Sequence, residues 1–254
     1  STFRGGVSDE SDKGVAGSFK HVYGLDIHSR DDVLQCASTI ATIDSTVIQN
    51  LITTMVTARD GSTYCFSDTG SVYAISGSVD DPATTLVYND ENGKIRGAGE
   101  WKLSDGTTYL YWATNTSVAR MAMNGSVDTP WVAGVVTQDY KTTLDAATHH
   151  TIKNAGGNLN IANANFLATI DYDGDFDPSA LNVRPGNLIK CLEERDDYVI
   201  AGSERIDLSE EGHIWSWIDN ATKWVQKKRI PIQGVNALIT AEESLLQGGD
   251  DGEI

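Results

Sequence analysis

The chain has 254 residues, of which 40% are hydrophobic and 22% charged, with 36 acidic against 19 basic side chains and a formal charge of −17. The hydrophobic share suffices for one large core or two smaller ones and argues against global disorder, while the acidic balance repels phosphate and so disfavours nucleic-acid binding through a basic face and anionic membranes alike. The three cysteines, Cys36, Cys65 and Cys191, are too few and too scattered for a disulfide framework or a zinc site, and no apolar run approaches the about 18 residues of a membrane helix.

Residues 1–17 read as a flexible polar leader without the apolar stretch of a signal peptide. The chain opens without Met, as expected of a processed or partial product. Residues 18–45 are expected to hold two strands, in "SFKHVYGLDIHS" and "DVLQCASTIAT". From residue 46 onward helical periodicity is nearly absent. Short runs rich in Val, Ile, Thr, Tyr and Trp alternate with Gly, Asp, Asn and Ser turns, the pattern of many short antiparallel strands. "NLITTMVTA" (50–58), "TTYLYWAT" (107–114), "WVAGVVTQ" (131–138), "DYVIAGS" (197–203) and "HIWSWID" (213–219) are the clearest.

One local pattern repeats. Gly70, Ser117, Asn165, Gly212 and Gly252 each open a similar strand, at intervals of 47, 48, 47 and 40 residues. Each interval holds four strands. In the first they are "NLITTMVTA", "STYCFSD", "SVYAIS" and "TTLVYN"; in the fourth, "LIKCLEE", "YVIAGSE", "HIWSWID" and "WVQKKRI". A repeat of 40–48 residues with four strands is the unit of a β-propeller. The expected fold is therefore all-β, one propeller over 18–254, with antiparallel blades near 46–93, 94–140, 141–186, 187–231 and an incomplete 232–254. First strands are expected to line a channel, and second and third strands to carry the core between blades. Either the N-terminal strands complete the fifth unit, closing a ring of about five, or more chain follows; the abrupt stop in "GEI" favours the second. Equivalent placement of Gly70, Ser117, Asn165 and Gly212 at the start of the third strand tests the register.

The stretch "TIDYDGDFDPSA" (169–180) places Asp171, Asp173, Asp175 and Asp177 around Gly174. Four carboxylates in seven residues suggest a Ca²⁺ loop. Counted from Asp171, however, Gly falls at position 4 instead of 6, and position 12 is Asn182 instead of Glu. Counterparts stand at Gly77 ("SGSVDDPA") and Gly125 ("NGSVDTPW"), 48 and 49 residues apart, in step with the blades. The favoured reading is an outer hairpin, with Gly in the turn, Asp bonded to the backbone and Pro82, Pro130 and Pro178 on edge strands. A cation held by the four aspartates is the alternative; no other cofactor is expected.

"DTGSVY" (68–73), "EEGHIW" (210–215) and "DDGEI" (250–254) each place an acidic residue two before a Gly that opens a strand. They resemble the Asp-box turn of sialidase-type propellers, S-x-D-x-G-x-x-W, but Phe66 and Leu208 stand where the first two should have Ser. In that family the box is structural. Arg59 and Arg195, which could contribute to a sialidase arginine trio, fall at equivalent first-to-second-strand turns, "ARDGSTY" and "EERDDYV". His149-His150 precede a strand and point to opposite faces, which argues against a shared metal. Glu193-Glu194 and Glu242-Glu243 end equivalent inner strands, as a solvated or weakly acidic channel mouth.

"YGLDIHSRDDVLQC" (23–36), irregular Gly-Asp turns and blades without repeat signatures of the WD or kelch kind resemble the propellers of tailed bacteriophages and related viruses. That resemblance implies a virion part, in a tail, fibre or capsid decoration, present in many copies and contacting other virion proteins or a surface glycan. The expected function is a non-enzymatic structural or adhesion module at a virion or otherwise extracellular location. The alternatives are a sialidase-like or other glycan-processing enzyme, and a cellular scaffold propeller.

Overall fold

A computed structural model describes Leu25–Asp26, Gln35–Cys36 and most of residues 48–249, apart from 49, 60, 79–80, 124–135, 207–210, 219–222, 231–233 and 242–243. The leader 1–17, Pro130, Gly125, Glu242-Glu243 and "DDGEI" therefore lie outside the described residues. The chain divides into two units, Ser1–Ser45 and Thr46–Ile254. In the first, β1 (Leu25–Asp26) pairs antiparallel with β2 (Gln35–Cys36).

The second unit is a row of antiparallel sheets in sequence order. Blade A holds β3 (Ile52–Thr57), β4 (Thr63–Ser67), β5 (Ser71–Ser78) and β6 (Asp81–Asn89). Blade B holds β7 (Gly97–Lys102), β8 (Thr108–Ala113), β9 (Val118–Met123) and β10 (Val136–Lys141). Blade C holds β11 (Ile152–Ala155), β12 (Asn158–Asn163), β13 (Phe166–Ile170) and β14 (Phe176–Asn182). Blade D holds β15 (Asn187–Arg195), β16 (Tyr198–Arg205), β17 (Gly212–Ile218) and β18 (Gln226–Ile230), and β19 (Ala237–Ala241) with β20 (Ser244–Gly248) begins blade E. The first strands β3, β7, β11, β15 and β19 are successive neighbours. This is a β-propeller of four-stranded blades. Gly70, Ser117 and Asn165 immediately precede their third strands and Gly212 opens its own, so the repeat register holds.

Turn chemistry sets the hairpins. Gly156 and Gly157 (φ 57° and 80°) join β11 to β12, and Asp196 and Asp197 (φ 51° and 64°) join β15 to β16. Two consecutive left-handed residues make the tight hairpin loop whose twist matches the flanking strands. Gly70 serves a different need: a Cβ there would sit 2.3 Å from the Asp90 carbonyl oxygen.

Cores lie between blades, on the second and third strands. In β8, Leu110 and Trp112 face blade A, joining Phe66, Val72 and Ile95, while Tyr111 and Ala113 face blade C, joining Ile161 and Ile170. Leu167, Leu181 and Val199 with Trp215 and Trp217 fill the next layer. Burying one such side chain contributes about 1.5–3 kcal/mol. Between blades D and E the described residues include buried Cys191, Ile230 and Val235 with half-buried Ile214 and Leu238.

Candidate functional site

Each inner strand ties itself to the next through polar side chains. Thr53 Oγ1 lies 2.9 Å from the Ile95 carbonyl, Asn154 Nδ2 donates to the Glu100 carbonyl at 3.1 Å, Thr151 Oγ1 to that of Lys190 at 2.7 Å and Thr240 Oγ1 to that of Glu194 at 2.8 Å. Ion pairs run the same way: Arg59 to Glu100 at 2.6 Å and Lys153 to Glu193 at 3.0 Å. Glu194 Oε1 accepts the Gly156 N–H at 3.2 Å. Glu193 and Glu194 are thus blade-to-blade fasteners, where the sequence suggested a solvated or acidic mouth. Arg59 lies in the β3–β4 turn, and Arg195 closes β15, 3.4 Å from Asp196.

The Asp-rich stretch is the β13–β14 turn. Asp171 Oδ1 accepts the N–H groups of Asp173 (2.9 Å) and Asp175 (2.8 Å), and Asp177 Oδ1 accepts that of Ser179 (2.8 Å). Gly174 has φ 87°. Blade B holds this turn from outside: Trp101 Nε1 donates to the Asp171 carbonyl, Ser104 N–H to that of Tyr172 and Tyr140 hydroxyl to that of Gly174, at 3.0, 2.7 and 3.0 Å. Each of these three turn carbonyls thus accepts a hydrogen bond from blade B. Among the described residues no three His, Cys, Asp or Glu side chains gather as a cation would need, and Asp171, Asp173, Asp175 and Asp177 are no exception. The sister hairpin differs in detail, since Gly77 pairs with Pro82 inside the ladder. Pro82 and Pro178 do lie on edge strands.

At the turn resembling an Asp-box, Ser67 Oγ does the capping, accepting the N–H groups of Ser71 (2.8 Å) and Thr69 (3.3 Å). Asp68 is not the cap. His150 is fully buried, with Nδ1 2.8 Å from the Ala162 carbonyl and Nε2 2.9 Å from that of Asn115. Burial, followed by the Lys190 charge, holds His149 below the ordinary histidine value.

Sequence reasoning missed two features. Arg120 lies between the rings of Tyr109 (4.1 Å) and Tyr140 (3.9 Å). It occupies the third-strand position held by Tyr73, Ala168 and Trp215 in the sister blades, so a lone cation in a core register was its signal. Burial pushes the neighbouring Tyr111 phenol up to about 12, against the opposing pull of Arg120. The second feature is a cleft of about 740 Å³ between the blade D face and β20. Tyr198, Ile200, Ile214 and Leu245 line it with Arg195 and Lys228. It had no local sequence signature.

No protein-family model matches the sequence, and no curated protein matches it. Solved structures do resemble the fold. The Dos1 propeller superposes with a TM-score of 0.53 at 11% identity, over 79% of this chain and 53% of that one. A protein of unknown function from Bacteroides caccae gives 0.47 at 8% identity, over 87% and 82%. The Nup133 β-propeller domain of Vanderwaltozyma polyspora gives 0.40 at 9% identity, over 79% and 68%. The chain thus spans about half the length of the Dos1 propeller. At such identities the likeness is one of fold alone.

Proposed function

We propose that this chain is a non-enzymatic propeller whose role is to hold protein contacts on a rigid frame. The observation that carries this reading is the chain of inner-strand fasteners. Arg59–Glu100, Lys153–Glu193 and the Thr and Asn bonds commit polar groups on or beside the first strands to holding neighbouring blades together. Such a frame suits a component that presents surfaces. The finer reading is a virion part, in a tail, fibre or capsid decoration, repeated in many copies; it is supported by the sequence resemblance to phage propellers. The −17 charge supports partners other than nucleic acid and anionic membranes.

The test is the assembly state of native material, by intact-mass spectrometry and light scattering after size exclusion. A large particle with many copies is expected. A 27.4 kDa monomer in native material would overturn the assembly role. Aryl-glycoside hydrolysis is expected to stay at the uncatalysed rate, and saturable turnover would overturn the non-enzymatic reading.

A further inference from the structure

The first strands of blades B, C and D begin beside basic side chains. Arg96 immediately precedes β7, His149 stands three residues before β11, and Lys190 is the fourth residue of β15. Two bonds draw them together. Arg96 Nη1 donates to the Thr148 carbonyl, next to His149, at 3.3 Å, and Thr151 Oγ1 donates to the Lys190 carbonyl at 2.7 Å. Blades B and C approach so closely here that a Cβ on Gly97 would overlap the His150 carbonyl oxygen. His150 itself turns inward, with its two ring nitrogens on the Ala162 and Asn115 carbonyls, and leaves His149 as the exposed ring of the pair.

Charge is arranged differently at the far ends of the first strands. There Arg59 pairs with Glu100, Lys153 with Glu193 and Arg195 with Asp196. At the near ends Lys190 Nζ pairs with Glu204 at 2.9 Å, but Arg96 makes no ion pair among the described residues. Its Nε is buried without a hydrogen-bond partner. A charged donor that has lost its water and gained no acceptor gains from an anion brought to the same guanidinium. Partial burial, and then the Lys190 charge, holds His149 below the ordinary histidine value; Glu204 pulls the other way, and Arg96 and His150 add to the fall. An anion among these groups reverses the balance and favours the protonated ring.

We propose that Arg96, His149 and Lys190 bind a tetrahedral oxyanion, a phosphate or sulfate group. A guanidinium, an imidazole and an ammonium contributed by three blades suit a ligand with more than two acceptor oxygens, which a carboxylate lacks. Proton uptake by His149 from solvent on binding matches a second negative charge on the ligand. Elsewhere a chain of −17 repels such an ion, so general charge does not supply the attraction. The site stands apart from the platform reading, because a monomeric chain would hold it equally.

The probes are sodium sulfate and sodium phosphate, titrated into the full chain at fixed ionic strength and read by isothermal titration calorimetry. Sulfate keeps its double charge across the titration range of histidine, so any pH dependence of its binding comes from the protein. Saturable binding is expected, about tenfold tighter at about pH 5 than at about pH 8, because the imidazolium forms as pH falls. His149→Gln should bind as the wild type does at the higher pH and show no pH dependence. Arg96→Gln should bind about tenfold more weakly at both. His149 is exposed, so His149→Gln with an unchanged circular dichroism spectrum keeps the test open even where Arg96→Gln fails to fold. Phenyl phosphate that binds as tightly as inorganic phosphate assigns the group to a larger molecule; inorganic phosphate binding alone assigns it to the free ion. Absence of saturation by both anions would overturn the site. So would pH dependence that persists in His149→Gln, or full affinity in a folded Arg96→Gln, either of which would mean an adventitious ion only.

Discussion

Replacing Trp112 by phenylalanine tests how the A–B layer is held. Trp112 is fully buried, and its Nε1 donates to Asp90 Oδ2 at 2.7 Å. Asp90 is itself 1% exposed; Oδ1 accepts the Asn92 N–H at 2.9 Å and Gln138 Nε2 at 3.2 Å, and no cation pairs with it among the described residues. The carboxylate thus depends on neutral donors. A hydrogen bond to a charged group contributes ~1.5–3 kcal/mol, and the smaller ring leaves a void costing about 1 kcal/mol. Trp112→Phe is expected to cost about 2.5–4 kcal/mol in urea unfolding followed by far-ultraviolet circular dichroism. In an Asp90→Ala background the same change should cost only the packing part, about 1 kcal/mol. Equal costs in both backgrounds, within about 0.5 kcal/mol, would refute the view that this bond holds the carboxylate in place.

Three further outcomes are expected. Asp171→Ala removes the acceptor of two turn amides and should cost about 1–2 kcal/mol, while exposed Asp173→Ala should stay within about 0.5 kcal/mol; thermal melts of the two variants, with and without millimolar calcium chloride, check this ranking. Burial, and after it the Lys227 charge, holds His213 below the ordinary value, so its contribution to stability is complete above the unfolded value of about 6.5 and is lost as pH falls below it. Urea midpoints measured above and below that value should fall with pH in the wild type, and by less in His213→Gln. Burial pushes the Cys191 thiol up to about 12 and raises that of Cys65, so neither should be alkylated by iodoacetamide near neutral pH until urea is added, as read by intact mass.

Local pattern carried most of the fold. Alternating β-branched and aromatic runs marked the strands of blades A and D, and the spacing of Gly70, Ser117, Asn165 and Gly212 placed the third strands, because hairpin turns recur at fixed offsets. The Asp-rich stretch was legible as a turn for the same reason. What holds that turn was not legible. Trp101, Ser104 and Tyr140 reach it from the neighbouring blade, and no residue near position 171 records their approach. The capping role of Ser67 was hidden behind the more conspicuous Asp68. Lys153–Glu193 escaped notice because the two residues stand 40 positions apart and meet only when blades stack. The cleft was invisible because it is a property of two sheets.

Strands such as β12 and β16 are buried on both faces, so apolar character does not distinguish their correct alignment from one shifted by a single residue. The tight inner turns make that distinction. Gly156-Gly157 and Asp196-Asp197 admit two residues each, and one more would turn every following side chain in its strand to the opposite blade. Hydrophobicity in this molecule encodes depth, while four residues of left-handed backbone encode address. Substitutions within the strands should therefore shift stability by degrees, whereas insertions at these two turns should change which residues meet.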